Sequence, residues 1–220
     1  MECQDAGGVP EARLLEEVEE RMGLGLDYLN YVRNELRMVV EKEMGKIERA
    51  AQWAVETLAS GRTCWHADIG HMPELEVRIG REARPNIFKP LRPTPHGREV
   101  RLPEVRPGDF VVLGDQFDVT EGFIDMALEA KRLGAKVVGI GASMRAYRNE
   151  IPVRHFSGKT LEDVVDLFID THAPMGDGAL TEGLRIGFGA TTGVLNCTIY
   201  WALCGEIVEG LVKKGLRIPE

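Results

Sequence analysis

Residues 107–143, PGDFVVLGDQFDVTEGFIDMALEAKRLGAKVVGIGAS, constrain the fold more than any other stretch of the chain. A Pro-Gly turn leads into the apolar run 110–113. A second apolar run, 137–140, follows a segment in which Ile124, Ala127, Leu128, Lys131 and Leu133 recur at helical spacing. Short unbroken apolar runs are what strands buried on both faces require. Gly134 stands where a left-handed residue would close the helix. The segment therefore reads as a βαβ unit, with parallel strands and a right-handed crossover. Open parallel sheets bind ligands beyond the carboxyl ends of their strands, so chemistry is expected in the loop 114–121, GDQFDVTE.

That loop is acidic. Asp115, Asp118 and Glu121 bring up to three negative charges to the start of a helix, a place that favours one anion. The acids are therefore candidates to occupy the anion position themselves. Aligned back from MALEAK, the stretch resembles the sugar isomerase (SIS) domain family, whose corresponding loop reads S-x-S-G-x-T and wraps a sugar phosphate. Those positions fall on Asp115, Gln116, Phe117, Asp118, Val119 and Thr120. Only Thr120 keeps its hydroxyl, while Asp115 and Phe117 replace the serines and Asp118 the glycine.

The resemblance extends to other motifs. Residues 62–66, RTCWH, read as the first strand, followed by the loop ADIGHM and a helix from Pro73, a residue suited to the first helical position. Uncharacterised SIS proteins carry D-T-G-H-M or G-T-G-H-S at this loop, matched here by Asp68, Ile69, Gly70, His71 and Met72. In phosphoheptose isomerases a glutamate in this region is an acid/base, and that position falls on Glu76. Moving a carbonyl along a sugar needs a base at one carbon and an acid at its neighbour. The resemblance thus implies His71 and Glu76 as the catalytic pair, against the plainer reading of a capping histidine and a solvated glutamate.

Further on, Arg154 and His155 precede Ser157, Gly158 and Lys159. An apolar strand at 164–169 then runs into Asp170, Pro174, Gly176 and Asp177, the order of motifs found in the same group. The HFSGK loop offers an imidazole, a hydroxyl and an ammonium, any of which binds sugar hydroxyls or an anion. The candidate substrate contacts are Asp68, Asp115, Gln116, Asp118, Thr120, His155, Ser157 and Lys159. His172 and Asp177 are too few to make a metal site, and neither a metal nor a cofactor is expected.

The remainder sets bounds. A short helix is expected within 1–25. The stretch 26–60 reads as helical, with a break near Gly45, and the resemblance implies that it builds a homodimer interface. Residues 84–108, rich in proline and basic side chains, read as a long loop with one short strand at 86–89. After GFGATTG comes a long helix carrying Val194, Leu195, Ile199, Ala202, Leu203, Ile207, Val208 and Leu211. It lacks the histidine that phosphoheptose isomerases carry there, since no histidine follows His172.

The net charge of -8 argues against nucleic acid as a partner. Residues 186–205 carry no charge, yet their glycines, threonines and Asn196 do not suit a membrane span. Four cysteines without metal spacing, and no secretory signal, lead to the expectation of a cytoplasmic protein with reduced thiols.

The expected fold is α/β: a three-layer αβα SIS-type domain with a central parallel five-stranded sheet, preceded by N-terminal helices. The expected units are 1–25, 26–60 and 61–220. The expected function is binding of a sugar derivative of the phosphosugar type, with isomerase chemistry at His71 and Glu76. The alternatives are a non-catalytic sensor or assembly protein and a binder of unphosphorylated or amino sugars.

Overall fold

The computed structural model describes residues 23–69, 85–96, 99–181 and 186–219. Helices α1 (Leu24–Lys42) and α2 (Met44–Ala59) precede strand β1 (Cys64–Asp68). Strands β2 (Phe88–Pro90), β3 (Thr94–His96), β4 (Glu99–Arg101) and β5 (Phe110–Phe117) follow, then helix α3 (Glu121–Arg132) and β6 (Lys136–Ala142). The short helix α4 (Leu161–Val164), β7 (Leu167–Asp170) and the long helix α5 (Thr192–Lys213) complete the order. Five strands form one parallel sheet, in the order β2-β1-β5-β6-β7. This is the α/β sheet expected from the sequence, and its centre is the βαβ unit β5-α3-β6.

The alternation along β5 explains the layers. Phe110 and Val112 face α2 and α5, where they meet Ile47, Ala54, Ile199, Leu203 and Ile207. Val111 and Leu113 face the opposite way, onto Ile124 and Ala127 of α3 and onto Leu102 and Val105 of the preceding segment. Side chains as deeply buried as Phe110, Leu113 and Ile124 contribute about 1.5–3 kcal/mol each. The α2/α5 contact is close: a Cβ on Gly210 would lie 2.8 Å from Val55 Cγ2. At the turn into β6, Gly134 has φ +83 and closes α3 as its place in the sequence predicts.

Several boundaries differ from expectation. β1 begins two residues late and carries Asp68 at its end rather than in a loop. β5 runs on to Phe117, so half of the expected loop is strand. Gly141 permits this: a Cβ there would come 2.9 Å from the Asp115 carbonyl oxygen. The helical break falls at Glu43, not Gly45, and Glu43 is buried at the position preceding α2. Val164 ends α4 rather than opening a strand, because the capping box at Thr160 and Asp163 starts a helix first.

The expected long loop contains β2 in place of 86–89 and the antiparallel pair β3/β4, and it buries Leu91, Leu102 and Val105. Residues 1–22, which hold the expected first short helix, and the expected helix from Pro73 lie outside the described residues.

Candidate functional site

From β1 the chain moves outward to β2 and then returns to the other side of β1 as β5, so the strand order reverses between β1 and β5. Such a reversal opens a crevice beyond the carboxyl ends of the two strands. Here Asp68 ends β1 opposite Gly114, and a Cβ on Gly114 would lie 3.1 Å from Asp68 Cβ. Glycine at 114 therefore leaves the room in which the Asp68 side chain stands at the crevice.

Asp115 is fully buried, and it does not project into open space. Its Oδ1 accepts the Gln116 amide at 2.8 Å and the Thr120 hydroxyl at 2.7 Å, and Oδ2 accepts the Thr120 amide at 3.2 Å. Thr120 precedes α3, so the Asp115 carboxylate sits at the start of that helix. Burial pushes its carboxyl up to about 6, against the lowering effect of the bonds from Thr120 and Gln116.

A second carboxylate repeats the arrangement at α5. Asp177 Oδ1 accepts the amides of Thr191 (2.8 Å) and Thr192 (2.9 Å). Its Oδ2 accepts the Thr192 hydroxyl at 2.7 Å and the Gln116 side-chain amide at 3.3 Å. Asp177 adopts φ +56, a left-handed conformation that Asp tolerates better than most residues. Gln116 thus joins the two helix starts. Asn196, one turn into α5, donates through Nδ2 to the Asp115 carbonyl at 3.0 Å. Its Oδ1 is buried without a hydrogen-bond partner among the described residues, and so is the Thr191 hydroxyl.

Asp118 turns away from Asp115. Its Oδ1 accepts the Met144 amide at 3.0 Å, and its carbonyl accepts the Leu161 amide at 2.7 Å. Burial raises its carboxyl above the ordinary range. On β1, His66 is buried under Tyr200, with ring centroids 5.0 Å apart, and its Nε2 lies 3.8 Å from Asp68 Oδ2. Burial drives the imidazole down, so it is neutral at pH 7.

The structure brings Asp68, Asp115, Gln116 and Thr120 together along the crevice. The HFSGK residues are arranged differently. His155 is buried and bonds Asp125 on α3 at 3.0 Å and the Ser157 hydroxyl at 2.6 Å, and the Lys159 amide donates to Ser157 Oγ at 3.2 Å. His71 and Glu76 lie outside the described residues. His172 stands 3.3 Å from Glu43 and 3.5 Å from Asp170. Among the described residues no group of three His, Cys, Asp or Glu side chains is placed to hold a metal ion, and no helix is long and apolar enough to cross a membrane.

No family model matches the chain. In sequence it is similar to the UPF0309 protein in the nagA 3' region of Lysinibacillus sphaericus, 28% identical, with 87% of each chain covered. It is equally similar to the UPF0309 protein TTE0306 of Caldanaerobacter subterraneus, again 28% identical over 87% of each chain. Two solved structures share its fold.

One is a candidate phosphosugar isomerase involved in capsule formation from Bacteroides fragilis, with TM-score 0.54, 15% identity, and 89% of this chain and 94% of that one covered. The other is the Escherichia coli CFT073 protein c3406, solved in complex with a sugar phosphate, with TM-score 0.52, 12% identity, and coverage of 95% and 96%. Both likenesses are of fold. They bear out the expected architecture, a parallel five-stranded sheet with flanking helices.

Sequence reasoning missed Asn196, Asp125, His66 and the capping role of Asp177. Asn196 left a signal, an amide in an otherwise apolar helical face. Asp125 left none, because a lone acid on an amphipathic helix is indistinguishable from a solvated one.

Proposed function

We propose that this chain binds a carbohydrate derivative in the crevice between the carboxyl ends of β1 and β5, recognising hydroxyl groups or an ammonium rather than a phosphate. The observation that carries this reading is the occupation of both helix starts by the chain's own carboxylates. The amides of Thr120, Thr191 and Thr192, which would cradle a phosphate, already donate to Asp115 and Asp177. A phosphate dianion would have to displace a carboxylate or stand beside it, and like charges in a desolvated site cost several kcal/mol.

The unpartnered oxygen of Asn196 is an acceptor, and the Thr191 hydroxyl can accept as well as donate. Both suit a donor-rich ligand such as a polyol or an amino sugar. Asp68 and Gln116 border the same space, while Thr120 and Asp118 hold the loop beneath it through their bonds to Asp115 and Met144. In this reading His71 and Glu76, a few residues beyond Asp68 in sequence, would supply acid and base if the sugar is isomerised. Exposed Leu29 and Val40 on α1 support self-association through that helix, which sedimentation would test.

The decisive experiment is thermal unfolding against amino sugars, free sugars and the matching sugar phosphates. A ligand at about 100 times its dissociation constant adds roughly 2.7 kcal/mol, a rise of about 5 to 10 °C for a chain of this size. The rise is expected with amino or free sugars. A rise confined to phosphates would overturn the reading, and no rise with any sugar would favour the sensor or assembly alternative.

A further inference from the structure

The crevice does not use the most reactive side-chain arrangement among the described residues, which lies on the outer side of α3. His155 is 3% exposed and is held at both ring nitrogens. Nε2 lies 3.0 Å from Asp125 Oδ1, and Nδ1 lies 2.6 Å from Ser157 Oγ. The tautomer follows from a third contact. The Ser157 backbone amide points at Nδ1 from 3.3 Å, and an amide can only donate. Nδ1 therefore carries the lone pair, the ring proton sits on Nε2 toward the Asp125 carboxylate, and the Ser157 hydroxyl donates to Nδ1. Hydroxyl, imidazole and carboxylate stand in series, with the base oriented by the acid.

We propose that Ser157 is a nucleophile, with His155 as its general base and Asp125 as the positioning residue, and that it accepts the acyl group of a carboxylic ester.

Three observations support the assignment. Ser157 is exposed although its base is buried, so a substrate can reach the hydroxyl while water is kept from the imidazole. The loop is folded around it. The Gly158 amide bonds the His155 carbonyl at 2.9 Å, and Gly158 takes φ +66, which turns the chain so that the Lys159 amide reaches Ser157 Oγ at 3.2 Å. That amide is a donor held at the oxygen on which negative charge develops as its proton leaves.

A groove of about 920 Å³ adjoins the series, and Asp125 and Phe156 are among its walls. Phe156 is 88% exposed and lies over His155, with centroids 4.4 Å apart. With Val100 and Leu128 it offers an apolar surface for an acyl or aryl group. The volume suits a small organic ligand.

The step balances without a cofactor. Ser157 Oγ forms a bond to the ester carbonyl carbon, the carbon–alkoxy bond breaks, and the hydroxyl proton passes to Nδ1 and then to the departing alcohol. Water next attacks the acyl-serine, gives its proton to Nδ1, and releases the carboxylic acid as the proton returns to Oγ. Either ring nitrogen of histidine can serve as the base, and here the geometry selects Nδ1.

The test uses the full chain with a fluorophosphonate probe and, separately, p-nitrophenyl butyrate. Expected are one covalent adduct mapped by mass spectrometry to Ser157, no adduct in Ser157→Ala, and ester hydrolysis that rises with pH as an imidazole loses its proton. Asp125 is partly exposed, so Asp125→Asn should fold. It is expected to slow labelling and hydrolysis by about 10²- to 10⁴-fold and to displace the pH profile. An unlabelled wild type, an adduct that persists in folded Ser157→Ala, or Asp125→Asn reacting at the wild-type rate with an unchanged profile would each overturn the proposal.

Discussion

Removing the Asp177 side chain tests whether the head of α5 is held by that carboxylate. In Asp177→Ala, Thr191 and Thr192, both fully buried, lose the acceptor for their amides, and the Thr192 hydroxyl and Gln116 lose theirs. Loss of a helix cap costs about 1–2 kcal/mol. The departed charge at the helix dipole adds about 0.3–1 kcal/mol. Alanine at φ +56 adds about 1–2 kcal/mol more. A loss of about 3–4 kcal/mol corresponds to a midpoint lower by about 6–16 °C.

Two companion variants separate the causes. Asp177→Gly removes the cap but relieves the backbone, so it should fall short of the alanine loss by about 1 kcal/mol. Asp177→Asn keeps an oxygen for the two amides and a residue type that tolerates the left-handed region, and should lose only about 1–2 kcal/mol. Circular dichroism at 222 nm during heating reads all three. An alanine variant within about 2 °C of wild type, or an asparagine variant worse than alanine, would refute the reasoning.

Asp115 predicts a pH dependence with a definite sign. Its folded carboxyl is raised from 3.8 to about 6, so the folded state holds the proton more tightly and this site's contribution is full below about 4 and falls as pH rises through about 6. The fall is about 3 kcal/mol. His66 acts in the opposite sense: burial lowers it from 6.5, so its contribution is lost as pH falls below that value. Asp115→Asn should therefore keep the His66 slope and lose its own, read as unfolding midpoints between about pH 4 and 7. Gly141→Ala sets a Cβ 2.9 Å from the Asp115 carbonyl oxygen in the adjacent strand, and should cost about 1–3 kcal/mol in urea unfolding; a neutral result would mean that β5 and β6 separate easily there.

The central βαβ unit was legible because its signals are local: two apolar runs, a helical stripe and a glycine at the turn. Where strand β5 ends was not legible. Gly114, Asp115 and Gln116 have the composition of a loop, and they become strand because Gly141 lets the neighbouring backbone approach. The β3/β4 pair was hidden by Pro95, a residue confined to edges and short pairings. At the site, the acidity of 114–121 showed that an anion position could be filled from within, and Asp115 lies there. Nothing in the sequence linked Asp177 to α5 or Asp125 to His155, because both pairings are made by the fold across many residues.

The contact between Gly210 and Val55 has a consequence for synthesis. Helix α2 leaves the ribosome well before α5, which covers its apolar side. Until α5 emerges, Ile47, Ala50 and Ala54 have no permanent cover from that helix. Closing so long a loop is slow compared with forming the neighbouring strands β5 and β6. A nascent chain would therefore pass through a stage in which half of the sheet is built and the earlier helix is still looking for its partner. That interval is when a chaperone or an unwanted neighbour would find it.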